Sequence, residues 1–147
     1  MLNVLNNLDF LKETYDMLAK AQIDVWIFGG WAEELHALIE PRAHDDIDLL
    51  YPSEDFSNVD IFLKKNNFKV VKEFPHKRAF IYKGVMVELF LVTNDITDFF
   101  SSYKHPWPTQ TFTEKPIKEV RVCSVESLKD YREKHYLVEE AYHSYLK

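Results

Sequence analysis

Three groups of residues in this 147-residue chain are able to do chemistry. The first is Gly29-Gly30, two of only three glycines, set after an apolar run and before a helical pattern. A chain this sparing of glycine places it where a positive φ or a close backbone approach is needed. At a strand-to-helix turn, free N–H groups and the helix dipole favour an anion such as phosphate. The second group is Arg42-Ala43-His44-Asp45-Asp46-Ile47-Asp48. In a strand, Asp46 and Asp48 share one face, with Cα atoms about 6.6 Å apart at ~3.3 Å per residue. A cation between them relieves their repulsion, and hard oxygen donors suit Mg²⁺. The third is Glu88, the one charge in a run of eight residues (85–92) that otherwise reads as buried. A carboxylate there needs a partner or a metal.

If the strand holding Glu88 neighbours residues 46–51, three carboxylates converge. That geometry supports two metal ions ~4 Å apart, one activating an attacking hydroxyl and one holding a triphosphate. Glu88 acting as general base is the alternative. Plainer readings stand beside each group. Gly-Gly is also an ordinary tight turn, since neither the Walker A pattern nor Gly-x-Gly-x-x-Gly is present. Asp-x-Asp is also an exposed acidic strand end. Glu88 is also one half of a salt bridge to Arg78, Lys83 or another cation.

The elements that must position these residues follow from periodicity. Leu2, Leu5, Leu8, Leu11, Tyr15 and Leu18 recur at helical spacing, which predicts a helix over ~3–20. Residues 24–28 read as a buried strand ended by the glycines, and 31–39 as a helix stopped before Pro41. Residues 46–51 read as a strand. Val59, Phe62 and Leu63 mark a third helix, ending near Asn66-Asn67. Strands are predicted over 68–74, 79–82 and 85–92, with Lys83-Gly84 as a hairpin turn. Residues 93–116 read as irregular, and 120–122 as a last short strand. Tyr103, Trp107 and the prolines in 102–108 form either an aromatic wall or a loop packed on the core. Ser124 caps a long helix with Leu128, Tyr131, His135, Val138, Tyr142 and Tyr145 along one stripe. This order predicts an α+β fold: one domain over 1–147, with a small mixed sheet flanked by helices.

Composition narrows the function classes. Apolar residues make up 46% of the chain, enough for a core, and aromatics 15%. A single cysteine, Cys123, forms no internal disulfide and excludes a zinc site built from several cysteines. No run reaches ~18 apolar residues and the start lacks a basic, cleavable leader, so a cytoplasmic protein without a membrane span is expected. The formal charge of −6 makes non-specific nucleic-acid binding unfavourable and suits a cationic or neutral small molecule.

Gly29-Gly30-Trp31-Ala32 followed by Arg42-x-His44-Asp45-Asp46-Ile47-Asp48 resembles the aminoglycoside and lincosamide nucleotidyltransferases, of the DNA polymerase beta-type superfamily. The resemblance is sharp over ~24–51, looser to Val92, and returns at Cys123-Ser124-Val125-Glu126-Ser127, which looks like the start of that family's C-terminal helix. It implies a core over about 1–92, with the C-terminal loop and helix over 93–147. By position, Gly29 and Gly30 would cradle a nucleoside triphosphate, and Asp46 and Asp48 would hold Mg²⁺. Glu88 stands where the family usually has aspartate, as base or ligand. Arg42 and His44 would contact phosphate or orient the carboxylates, and Lys134 would reach the nucleotide phosphates. Glu34 replaces a frequent aspartate and Leu38 a frequent glycine.

The implied activity is transfer of a nucleotidyl group, AMP from ATP foremost, to a hydroxyl of a small molecule such as an antibiotic, with release of pyrophosphate. A protein-nucleotidylating enzyme of the toxin–antitoxin kind is the alternative, although those relatives usually show Gly-Ser instead of Gly-Gly-Trp. A non-catalytic nucleotide-binding module is a further one. A homodimer is also open, with the aromatic C-terminal helix as its candidate contact.

Overall fold

The computed structural model describes residues 5–147. Helix α1 spans Leu8–Lys20, and Asn7 caps it by accepting the Phe10 N–H at 2.9 Å. The predicted helix therefore starts later than expected, and its first positions, including Leu2, lie outside the described residues. Strand β1 is only Trp26–Phe28. It runs straight into helix α2, Gly29–Leu35. That helix begins two residues earlier than the sequence suggests and ends well before Pro41, with Ala37 at φ 57° turning the chain. Strand β2 is Asp46–Pro52 and helix α3 is Ser57–Lys65.

Strands β3 (Lys69–Phe74), β4 (Lys77–Tyr82) and β5 (Val85–Val92) form a meander. Lys83 and Gly84 both have positive φ, 50° and 86°, the two-residue turn that matches strand twist. The five strands make one mixed sheet in the order β1-β2-β5-β4-β3. The β2–β5 pair is parallel and the other neighbours are antiparallel.

One sheet face carries Ile47, Leu49 and Val87, all fully buried. Helices α1 and α3 cover it: Phe10 stacks on Tyr82, and Phe62 meets Phe68, which meets Phe80. The opposite face carries Asp48, Glu88, Phe28 and Phe90. Over it lies helix α4, Val125–Leu146, whose cap Ser124 accepts the Ser127 N–H. Tyr131 of α4 meets Phe28 edge-on at 5.0 Å between ring centroids.

Segment 93–116 is more regular than predicted. It contains a second sheet of β6 (Ile96–Phe99) and β7 (Tyr103–Pro106). No glycine marks the turn between them: Phe100 and Ser101 take positive φ themselves, at 56° and 62°. Trp107, just after β7, donates from Nε1 to Thr97 Oγ1 at 2.8 Å and stacks on Tyr131, so this hairpin wedges α4 against the sheet. Residues 120–122 form no full strand. They bridge to the free edge of β1, with Ile27 N–H donating to Arg121 C=O at 2.7 Å and Cys123 N–H to Ile27 C=O at 3.0 Å. Among the described residues no helix is long and apolar enough to cross a membrane.

Candidate active site

Strand register assembles the acidic cluster. In the parallel β2–β5 pair Asp46 lies opposite Met86 and Asp48 opposite Glu88. Side chains alternate along a strand, so all three carboxylates project to the α4 side. One oxygen from each of Asp46, Asp48 and Glu88 lies within 4.8 Å of the others. Phe28 pairs with Asp48 across β1–β2, which sets the next residue, Gly29, directly against that carboxylate. Gly29 has φ +63°, and a Cβ there would fall 2.4 Å from Asp48 Oδ2. The glycine is therefore required twice, by backbone conformation and by space.

The cluster is anionic, and only its Glu88 corner is ion-paired with cations. Burial, then the nearby Glu88 and Asp45, raises the Asp46 carboxyl above its usual range. Asp48 is pushed up further, by burial first and then by Glu88 and Asp46. Its Oδ1 is sealed from solvent without a hydrogen-bond partner. Glu88 behaves oppositely. Burial alone would raise it, but contacts from Asp48, Lys77 and Lys72 outweigh that and hold it low. Lys72 Nζ donates to Glu88 Oε1 at 2.9 Å and Lys77 Nζ lies 3.5 Å away. These convergent oxygens, one of them orphaned, are a donor set that fits a hard divalent cation.

Of the partners the sequence offered, Glu88 takes other cations, not Arg78 or Lys83. Arg78 pairs with Asp60 and Lys83 with Glu13 instead. Parity explains this: Ala79 lies opposite Glu88, so Lys77 shares its face and Arg78 points away. Lys72 pairs with Ala79 on the other side, and its long side chain reaches over that small residue.

The flanking motif is locked around Gly30. His44 stacks on Trp31 at 4.2 Å and meets Glu34 Oε1 through Nε2 at 2.8 Å. Glu34 Oε1 also accepts the Arg42 N–H at 3.1 Å. A Cβ on Gly30 would lie 3.0 Å from Arg42 Nη2 and 3.2 Å from His44 Nδ1, so both side chains crowd that glycine. Asn6 ties the motif together: its Nδ2 donates to the carbonyls of His44 and Asp46, and its Oδ1 accepts from Trp31 Nε1, each at 3.1 Å. Nothing in its sequence context marks Asn6. Only the long-range fold brings it there.

Gly29, Asp48 and Glu88 line a cleft of about 400 Å³, closed on the far side by Tyr131, Arg132 and His135 of α4. Arg132 spans its mouth to pair with Glu33 of α2. Burial raises the Tyr131 hydroxyl above its usual range, reinforced by Asp48 and Glu88. Lys134 is not brought to this cleft. It donates to Asp130 at 2.6 Å, because two residues along a helix from Arg132 is about 200° of rotation. The α4 cation at the cleft is Arg132, which the sequence reading did not single out. Tyr103 and Trp107 line neither this cleft nor its neighbour and pack with Tyr131 and His105 instead.

Comparison with known proteins agrees with this fold. The profile of the family described as aminoglycoside-2''-adenylyltransferase matches residues 10–131. No curated protein sequence matches the chain. Among solved structures, the lincosamide antibiotic adenylyltransferase LnuA, bound to lincomycin, superposes with a TM-score of 0.71 at 17% identity, covering 98% of this chain and 99% of the other. ANT(2")-Ia in complex with adenylyl-2"-tobramycin gives 0.61 at 17% identity, over 95% and 88%. The expected nucleotidyltransferase fold with a C-terminal helix is thus the one found.

Proposed function

For a chain that belongs to the aminoglycoside-2''-adenylyltransferase family, and so is a nucleotidyltransferase, we propose Mg²⁺-dependent transfer of a nucleoside monophosphate, AMP from ATP, to a hydroxyl of a small molecule. The observation that carries this reading is the convergence of Asp46, Asp48 and Glu88 beside Gly29. Asp46 and Asp48, with Glu88 as third donor, would hold the metal, two ions being the expectation. When bound there, Mg²⁺ neutralises charge on the phosphates and on the attacking oxygen.

The residues of this chain do the rest. The Gly29-Gly30 turn would cradle the triphosphate at the start of α2, its missing Cβ atoms leaving room for Asp48 against Gly29 and for Arg42 and His44 over Gly30, as phosphate contacts or to orient the carboxylates. Arg132 is a further candidate for phosphate contact, exchanging Glu33 for the nucleotide. The acceptor oxygen attacks the α-phosphorus in line. Its bond to phosphorus forms as the bond to the bridging oxygen of the β-phosphate breaks, and pyrophosphate leaves. Glu88, held ionised by two ammonium groups, is ready to take the hydroxyl proton.

Calorimetric titration of the four nucleoside triphosphates with Mg²⁺ tests this, on the wild type and on Asp46→Asn/Asp48→Asn. Magnesium-dependent binding of ATP that disappears in the double variant is expected, together with a mass increase of AMP on an acceptor. Binding that survives the double variant would refute the metal assignment. Binding of nucleotide without turnover on any acceptor would support the non-catalytic alternative.

A further inference from the structure

Helix α4 is long but thinly anchored. Of its 22 residues only Ser127, Leu128 and Ala141 are buried, and Tyr131 and Val138 add half-buried apolar contacts with the core. Apolar packing is non-directional, so it holds the helix down without fixing its rotation. A directional contact comes from β7. His105 is fully enclosed there, with the rings of Trp107, Tyr131 and Tyr103 at 4.4, 5.6 and 5.7 Å. Its Nδ1 lies 2.8 Å from the Tyr103 hydroxyl. Its Nε2 lies 3.3 Å from Asp130 Oδ2 on α4, and neither atom has another hydrogen-bond partner among the described residues. Lys134 donates to the other Asp130 oxygen at 2.6 Å. Burial, only partly offset by Asp130, lowers the His105 pKa, so the ring is neutral at pH 7. One tautomer then suits all its neighbours. With Tyr103 donating to Nδ1, the ring proton sits on Nε2 and faces the carboxylate; the opposite tautomer would set a lone pair against it.

Asp130 and Arg132 stand about 200° apart around the helix, so they leave α4 on opposite flanks. Asp130 faces β7, and Arg132 crosses to Glu33 at the mouth of the carboxylate cleft. The Arg132 side chain is 71% exposed, so water screens that pair and it holds the helix weakly. Turning α4 by one residue, about 100°, would carry Arg132 off the cleft. Resting on the transfer reaction proposed above, we infer that His105 is a positioning residue of the nucleotide site: by holding Asp130 it fixes the rotation of α4 and keeps Arg132 over the carboxylate cleft. A buried polar pair of this kind sets register more than it adds stability, because every other rotation leaves both groups unpaired.

The test joins NMR of the unliganded protein to calorimetry with Mg²⁺ and a non-hydrolysable ATP analogue. Nitrogen-15 spectra should show the His105 proton on Nε2, and the Tyr131 ring should give nuclear Overhauser contacts to Phe28, which report the rotation of α4. His105→Phe keeps an aromatic ring in the cage and removes the pin. It should lose the Tyr131–Phe28 contacts and bind the analogue about tenfold more weakly, while Tm moves by no more than about 5 °C. Asp130→Asn keeps an acceptor for Nε2–H and should retain both the contacts and the affinity; Asp130→Leu should lose them. In an Arg132→Ala background His105→Phe should add less than about a twofold loss, since a role exercised through Arg132 is not additive with its removal.

An Nε2 without its proton would overturn the inference. So would a His105→Phe protein with wild-type ring contacts and affinity, or losses that add fully to those of Arg132→Ala, and the transfer reading would stand in each case. If His105→Phe does not fold, Asp130→Leu decides, because its side chain is 19% exposed against none for His105. A wild type that binds no nucleotide would overturn the transfer reading, and the positioning role with it.

Discussion

Replacing Gly29 by alanine tests how tightly backbone and carboxylate are coupled. At φ +63° an L-residue costs about 1–2 kcal/mol relative to glycine. The added Cβ would also meet Asp48, 2.4 Å from Oδ2 and 3.1 Å from both Cβ and Cγ. Swinging the tip of the Asp48 side chain does not relieve contacts that close to its root. Asp48 must leave its rotamer, at about 0.5–1.5 kcal/mol, or the end of β1 must move. Gly29→Ala should therefore lose about 2–3 kcal/mol, a fall in Tm of roughly 4–12 °C for a domain of this size. It should also lose magnesium-dependent nucleotide binding, because the displaced carboxylate is the one facing Glu88.

Gly30→Ala is the control. Its φ is ordinary, and the nearest atom is the mobile guanidinium of Arg42 at 3.0 Å. Alanine also gains about 1 kcal/mol over glycine within a helix, so Tm should stay within about 2 °C of wild type. Thermal melts by circular dichroism and nucleotide calorimetry read both variants. A Gly29→Ala protein that melts and binds like wild type would refute the argument, as would a Gly30→Ala protein destabilised more than it.

Other outcomes follow from the charges. Asp48 has a raised carboxyl pKa, so below that value the fold binds a proton more tightly than the open chain does, and stability falls as pH rises through it. Without metal, Asp48→Asn should therefore be more stable than wild type at neutral pH while transferring no nucleotide; urea denaturation checks the first and product mass the second. His76 has the opposite sign. Burial lowers it to about 4, the unfolded chain takes up its proton first, and stability should drop as pH falls from about 6.5 toward 4, by up to roughly 3 kcal/mol. His76→Leu should flatten that part of the pH–stability curve. Glu88 is 6% exposed and Lys77 is its less exposed partner, with 17% of its side chain exposed against 41% for Lys72. Lys77→Met should cost about 1–3 kcal/mol and Lys72→Met less, read by the same denaturation.

The carboxylate cluster was legible because its signals are local. Asp-x-Asp alternation puts two carboxylates on one face of any strand, and a lone charge in an apolar run must find a partner. The partner itself was half legible. Lys83-Gly84 as a two-residue turn fixes Ala79 opposite Glu88, and parity then excludes Arg78 and admits Lys77. Lys72 was beyond reach, because a register shift between Val70 and Lys72 decides its face and no residue announces it. The β6–β7 hairpin was hidden for a related reason: Phe100 and Ser101 adopt the positive φ that glycine or asparagine usually advertises. Lys134 and Arg132 are both basic residues on one helix, and only the angular position of Tyr131 against Phe28 decides which faces the cleft.

The bridge between Ile27 and Val122 bears on how the molecule is made. It joins the strand that leads into Gly29 to the segment that leads into α4, across almost a hundred residues of chain. Closing a loop of that length is entropically costly, and during synthesis the bridge forms only after Val122 has emerged. Until then the outer edge of β1 is an unpaired strand edge and the sheet face bearing Phe28 and Phe90 is bare, so the nascent chain carries a sticky border through most of its translation. A ribosome stalled before residue 120 would present the acidic triad without its roof, which makes the arrival of residues 120–122 and α4 the step that turns a half-built sheet into a closed vessel.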